Sequence, residues 1–158
     1  MKIKDTGEGI QIYDFNSLEA LKIARKLERE GIKFYGNLLQ KVDDPKVKEA
    51  LTFLRDQEEE HLRIFEKLLE REDAEAVDDD GDDVFESVED GVFLLPQGSD
   101  LAADFDKALE LGVTIEKRSL AFYLEVVKHT ESEEGKNTIK KIIGEERKHW
   151  EELKRLSQ

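Results

Sequence analysis

The chain has 158 residues, enough for one domain to bury about two-thirds of its unfolded surface in a single core without a covalent staple. Charged residues make up 41% of it and prolines number only 2, which points to helices, while a formal net charge of -14 opposes nucleic-acid backbones and anionic membranes and favours cations as ligands. Cysteine is absent, which excludes disulfides, zinc-thiolate sites and cysteine-ligated iron-sulfur clusters within this sequence, so any metal must be held by oxygen and nitrogen. No basic start with a continuous apolar run opens the chain, and no window approaches the ~20 apolar residues of a membrane span. A cytoplasmic protein is the expectation.

Residues 1–15 have no helical period, and Ile10 to Tyr13 reads as a short extended piece. Asn16 with Glu19 forms a capping box that opens a first helix, about 16–41. Asp44 as cap and Pro45 at the first helical position start a second, about 45–71, antiparallel to the first. An acidic crossover follows over 72–99, far longer than an ordinary helix-helix turn. It contains the run Asp78-Asp79-Asp80-Gly81-Asp82-Asp83, which fails as an EF-hand because the first and last ligand places fall on Ala76 and Ser87. It also contains an apolar patch, Val92 to Leu95, suited to covering a bundle face or a subunit contact, so a homodimer or higher homo-oligomer is expected, with exchange of halves possible across so long a linker. A third helix covers about 100–129, and Thr130 with Glu133 reads as the capping box of a fourth, about 130–157. The whole chain, 1–158, is then a single all-α domain: a four-helix bundle of two hairpins joined by a long crossover.

The two hairpins repeat with an offset of 88 residues. Glu28 falls on Glu116, Tyr35 on Tyr123, Glu58 on Glu146 and His61 on His149. The core stripe of the second helix, Val47, Leu51, Leu54, Glu58, His61, Phe65, Leu68, is apolar apart from one Glu and one His, and the fourth helix repeats this with Glu146 and His149. The first and third helices each place one Glu in the stripe, Glu28 and Glu116, with a small residue one turn on and a tyrosine two turns on. Four ionised carboxylates at one level of a bundle would each cost several kcal/mol of desolvation and would repel one another. Either most are protonated or positive charge lies between them, and two divalent cations would balance all four with both histidines neutral. A lone Glu-x-x-His says little in so glutamate-rich a chain; the joint, repeated pattern says more. The competing reading is a bundle whose seam tolerates polar residues that fix register. His129 has no glutamate at that spacing and reads as a helix-terminal surface residue, and Glu145 also reads as surface.

One Glu on each of two helices and Glu-x-x-His on each of the other two resembles the ferritin-like di-iron carboxylate superfamily. Leu27-Glu28-Arg29-Glu30-Gly31-Ile32-Lys33-Phe34-Tyr35 and Glu58-Glu59-Glu60-His61 look like its rubrerythrin branch, without a rubredoxin-type domain; the resemblance covers roughly 18–157 apart from the crossover. It implies Glu28, Glu58, His61, Glu116, Glu146 and His149 as metal ligands and two iron ions as cofactor, although manganese or zinc suits the same donors. Tyr35 and Tyr123 match tyrosines that in the family hydrogen-bond to ligand carboxylates; as core aromatics with a polar tip they need no such role. Ser119 stands where rubrerythrins proper have a further glutamate, which weakens any inference of their redox-linked ligand exchange. The implied activity is that of a di-iron oxidoreductase reacting with hydrogen peroxide or dioxygen, peroxide reduction favoured, with electrons from an unidentified donor. The alternatives are a ferroxidase or iron-handling protein without a reducing partner, and a structural or interaction bundle with a vestigial site.

Overall fold

In the computed structural model, which describes residues 2–5, 10–13, 16–72 and 105–157, a small antiparallel hairpin of β1 (Lys2–Asp5) and β2 (Ile10–Tyr13) precedes four helices. Ile3 lies opposite Ile12 in its register. The helices are α1 (Ser17–Leu39), α2 (Pro45–Glu72), α3 (Phe105–His129) and α4 (Glu133–Leu156). The expected start of the third helix at Asp100 and the crossover beyond Glu72, with its acidic run and apolar patch, lie outside the described residues.

Local chemistry sets the helix starts. At α1, Glu19 N–H donates to Asn16 Oδ1 at 2.9 Å and Asn16 N–H donates to Glu19 Oε2 at 3.4 Å, the reciprocal box read from the sequence. At α2, Asp44 Oδ1 accepts from Lys46 N–H at 2.9 Å and from Val47 N–H at 3.4 Å. The fourth helix departs from expectation. Its cap is Ser132, whose Oγ accepts from Gly135 N–H at 2.9 Å, whereas the Thr130 hydroxyl donates back to Val126 O at 2.7 Å. Thr130 thus satisfies a terminal carbonyl of α3, and Ser132 opens α4 in its place.

The helix directions follow from which residues meet. Gly31 faces Glu58 and Glu28 faces His61, so α1 and α2 are antiparallel. Tyr35 meets Glu116 and Tyr123 meets Glu28, so α1 and α3 are antiparallel too. His61 meets Glu146 while Glu58 meets His149, which does the same for α2 and α4. In the α1–α3 and α2–α4 cases each contact maps onto the other when 88 is added to one member and subtracted from its partner, so these contacts themselves obey the repeat.

Two apolar plugs fill the bundle at different heights. One joins the N-terminal half of α1 (Ala20 to Leu27) to Phe65, Leu69, Phe122 and Ile142; the other joins Phe34 and Leu38 to Leu51, Leu54, Leu109 and Leu153. Leu69, not Leu68, is the buried leucine at the end of α2, because a helix of 3.6 residues per turn drifts off a strict three-four alternation. Gly112 is needed where α3 approaches α1: a Cβ there would lie 2.7 Å from Phe34 Cε1 and 3.1 Å from Leu153 Cδ1.

Candidate metal centre

Between the two plugs the core turns polar. Glu28 on α1, Glu58 and His61 on α2, Glu116 on α3, and Glu146 and His149 on α4 all point inward, none more than 3% exposed. They form two overlapping groups whose ligand atoms lie within 4.8 Å of one another: Glu28, Glu58, His61, Glu146, and Glu58, Glu116, Glu146, His149. Glu58 and Glu146 belong to both groups and so would be shared between them if both were filled. Each histidine turns Nδ1 into the layer. His61 Nδ1 is 2.9 Å from Glu146 Oε1 and 3.5 Å from Glu28 and Glu58; His149 Nδ1 is 3.4 Å from Glu146 and 3.5 Å from Glu58. The two rings stack with centroids 5.6 Å apart.

Such a layer is costly unless its charge is balanced, since two like charges 4 Å apart repel by about 4 kcal/mol even at an effective dielectric of 20. Protons supply the balance in the metal-free protein. Burial pushes the carboxyls of Glu28 and Glu116 up, the charges of Glu58 and Glu146 push them further, and both end well above the usual carboxylate range. Burial acts upward on Glu58 and Glu146 as well, but contacts with His149 and His61 outweigh it and hold both below that range. Burial would lower the imidazoles; the surrounding carboxylates overcome it, raising His149 to about 9 and lifting His61 well above its ordinary value. Two neutral carboxyls, two carboxylates and two imidazolium ions sum to zero.

The donor set fits a pair of divalent cations. His61 Nδ1, His149 Nδ1, Glu58 Oε2 and both carboxylate oxygens of Glu146 are buried within one layer and make no well-directed hydrogen bond, even where His61 Nδ1 comes within 2.9 Å of Glu146 Oε1, as suits donor atoms that share an interaction partner at the centre. Four carboxylates and two neutral imidazoles around two divalent ions again sum to zero, so the exchange of protons for metal leaves the buried charge unchanged. The layer can therefore bind metal.

The surrounding residues hold the donors in place. The Tyr35 hydroxyl donates to Glu116 Oε1 and the Tyr123 hydroxyl to Glu28 Oε1, each reaching across the α1–α3 interface. Burial first, and the nearby carboxylates second, push both phenols well above their ordinary value, so they remain donors. Gly31 lets Glu58 lie against α1, since a Cβ there would meet Glu58 Cδ and Oε1 at 3.3 Å. Its repeat partner Ser119 is buried at the same level. His129 is exposed at the end of α3, its Nδ1 3.0 Å from Glu125 O, away from the polar layer.

Glu145 corrects the sequence reading. It is not a free surface residue: its Oε2 lies 2.8 Å from His61 Nε2, with a quarter of its side chain exposed. The signal that could have located it is its repeat partner Gln57, the only polar uncharged residue in the turn before Glu58.

Comparison with known proteins agrees with this geometry. The Rubrerythrin family model matches residues 18–157. A solved structure from Thermotoga maritima, described as a candidate ferritin-like diiron-carboxylate protein, superposes with a TM-score of 0.69 over 93% of this chain and 97% of its own, at 23% identity. That likeness shows the ferritin-like fold. No curated protein matches the chain.

Proposed function

The chain belongs to the rubrerythrin family, and from that premise we propose that it is a di-iron carboxylate protein that reacts with hydrogen peroxide or dioxygen, with peroxide reduction as its principal activity. The observation that carries the reading is the buried layer of four glutamates and two histidines, divided into two groups that share Glu58 and Glu146. The description of the Thermotoga maritima protein as a diiron-carboxylate protein favours iron over the manganese or zinc that the same donors accept. Bound there in the ferrous state, two iron ions would supply the two electrons that, with two protons, reduce hydrogen peroxide to two molecules of water.

The residues divide the remaining work. His61 and His149 each present Nδ1 to one position. Glu28 and Glu116 each complete one position and are steadied by a tyrosine hydroxyl, which restricts how far either carboxylate can swing. The two apolar plugs above and below the layer keep bulk water out, so charge in the layer is weakly screened and the carboxylates bind cations strongly. No helix among the described residues is long and apolar enough to cross a membrane.

A second reading is ferroxidation with iron delivery and no reducing partner. It is favoured by the absence of cysteine in this sequence and by Ser119 where rubrerythrins proper have a glutamate. Anaerobic titration with Fe(II) followed by rapid mixing separates the readings. Two equivalents bound, with oxidation by peroxide much faster than by dioxygen, is the expected result. Faster oxidation by dioxygen would support iron handling instead. Less than half an equivalent of any transition metal would remove the metal site altogether and leave a helical bundle with a vestigial site.

A further inference from the structure

The repeat that generates the metal layer is broken just outside it. His61 Nε2 faces Glu145 Oε2 at 2.8 Å. The equivalent nitrogen of His149 is buried and has no hydrogen-bond partner among the described residues. The position that should serve it, 88 residues before Glu145, is Gln57, a neutral side chain on the partly buried flank of α2. The layer itself keeps its symmetry, Glu for Glu and His for His, so a difference between its halves can arise in what stands behind each imidazole.

On the footing of the metal site just described, we propose that Glu145 is a positioning residue that makes the two metal positions unequal: the position served by His61 binds its divalent ion more tightly and fills first. The argument is chemical. A ring nitrogen can direct its lone pair at a metal only if the proton sits on the other nitrogen. Glu145 accepts from His61 Nε2–H, which fixes that tautomer, holds the ring plane and, by placing negative charge behind the ring, makes Nδ1 a better donor. Among the described residues no carboxylate stands behind His149, so its ring is less constrained and less basic toward metal. Loss of such an outer partner ordinarily weakens metal affinity 10- to 100-fold. The two positions should therefore differ by about that factor, although their ligand types are the same.

Zinc titration of the apoprotein by calorimetry tests this without any redox step. Wild-type protein should bind two equivalents in two resolved steps. Glu145→Ala should weaken the first step about 10- to 100-fold and merge the two; Glu145→Gln, which keeps an acceptor but not the charge, should fall between. Combining Gln57→Glu with Glu145→Ala should restore two steps. In ¹⁵N-imidazole spectra of the zinc-loaded wild type, one slowly exchanging, downfield Nε2–H should be seen; Glu145→Ala should abolish it, and the double variant should return it from His149. Position 145 is partly exposed and mid-helix, so alanine there should leave the fold intact, which the helical circular dichroism of the apoprotein checks. Two equal affinities in the wild type, or an affinity gap unchanged in Glu145→Ala, would overturn the inference while leaving the metal site standing. Failure of the wild type to bind zinc or iron at all would overturn the site reading first and this inference with it.

Discussion

Metal binding to this chain should be a proton exchange of definite stoichiometry. The upward shifts favour protons in the metal-free layer on the carboxyls of Glu28 and Glu116 and on the imidazoles of His61 and His149, four sites in all, and the expected proton count follows from them. Glu58 and Glu146, held low, hold none. Two divalent ions require all six groups deprotonated, so loading should release about four protons per metal pair, and the product of the two binding constants should rise about 10⁴-fold per pH unit near neutrality. Above pH about 9 His149 is already neutral in the free protein, and the release should fall to about three. Zinc titrations in two buffers of different ionisation enthalpy yield the proton count directly. Glu28→Gln, which keeps the shape but removes one proton to lose, should lower the release by about one. A wild-type release of fewer than about two protons would refute the assignment of neutral carboxyls and, with it, the claim that protons balance the empty layer.

The same shifts make the metal-free protein sensitive to alkali. A raised folded-state histidine contributes stability that is complete below its unfolded value and lost as pH rises through the folded one, so for His149 the window runs from 6.5 to about 9 and the loss is on the order of 3 kcal/mol. Thermal unfolding should show the apoprotein weakening across that window and the zinc-loaded protein not; a flat apoprotein profile would count against it. Glu146→Ala removes a bridging donor and should lose both metals, whereas Glu28→Ala touches one group only and should retain about one; equal stoichiometries, by elemental analysis, would argue against the bridging assignment. Gly112→Ala drives a methyl into Phe34 and should cost about 1–3 kcal/mol. Gly144→Ala meets nothing within 4 Å and should stabilise by roughly 0.5–1 kcal/mol, so denaturant melts of the pair separate crowding from helix propensity.

The inward layer of six candidate ligands was legible because helical periodicity converts spacing into a face. Glu58 and His61, three apart in an otherwise apolar stripe, must share the inward side of α2, and the 88-residue offset carries the same statement to Glu146 and His149. What was hidden depends on how helices meet. Glu145 stands one residue from a ligand, about 100° around the helix, and looks solvent-facing on any single-helix count. It reaches His61 only because α2 and α4 run antiparallel in a register that brings position 145 over the outer edge of that ring. The start of α4 was hidden for a related reason: Thr130 and Ser132 both have capping chemistry, and only the geometry of the turn assigns Thr130 to the end of α3.

The contrast between Glu145 and Gln57 also indicates where a duplicated bundle is free to diverge. A change of ligand type within the layer would unbalance buried charge, and each such imbalance costs several kcal/mol. One step outside, at the flank behind each histidine, a carboxylate can become an amide at little cost to folding, because the position is part-exposed and water can serve what the side chain does not. Gly31 and Ser119 are a second pair at which the repeat diverges, this time in the core: Gly31 leaves Glu58 room against α1, and Ser119 is buried. Symmetry in the ligands and asymmetry around them is how one repeat can yield two metal positions with different properties. On the proposal above, the order of loading in such a site would be set by side chains that touch no metal.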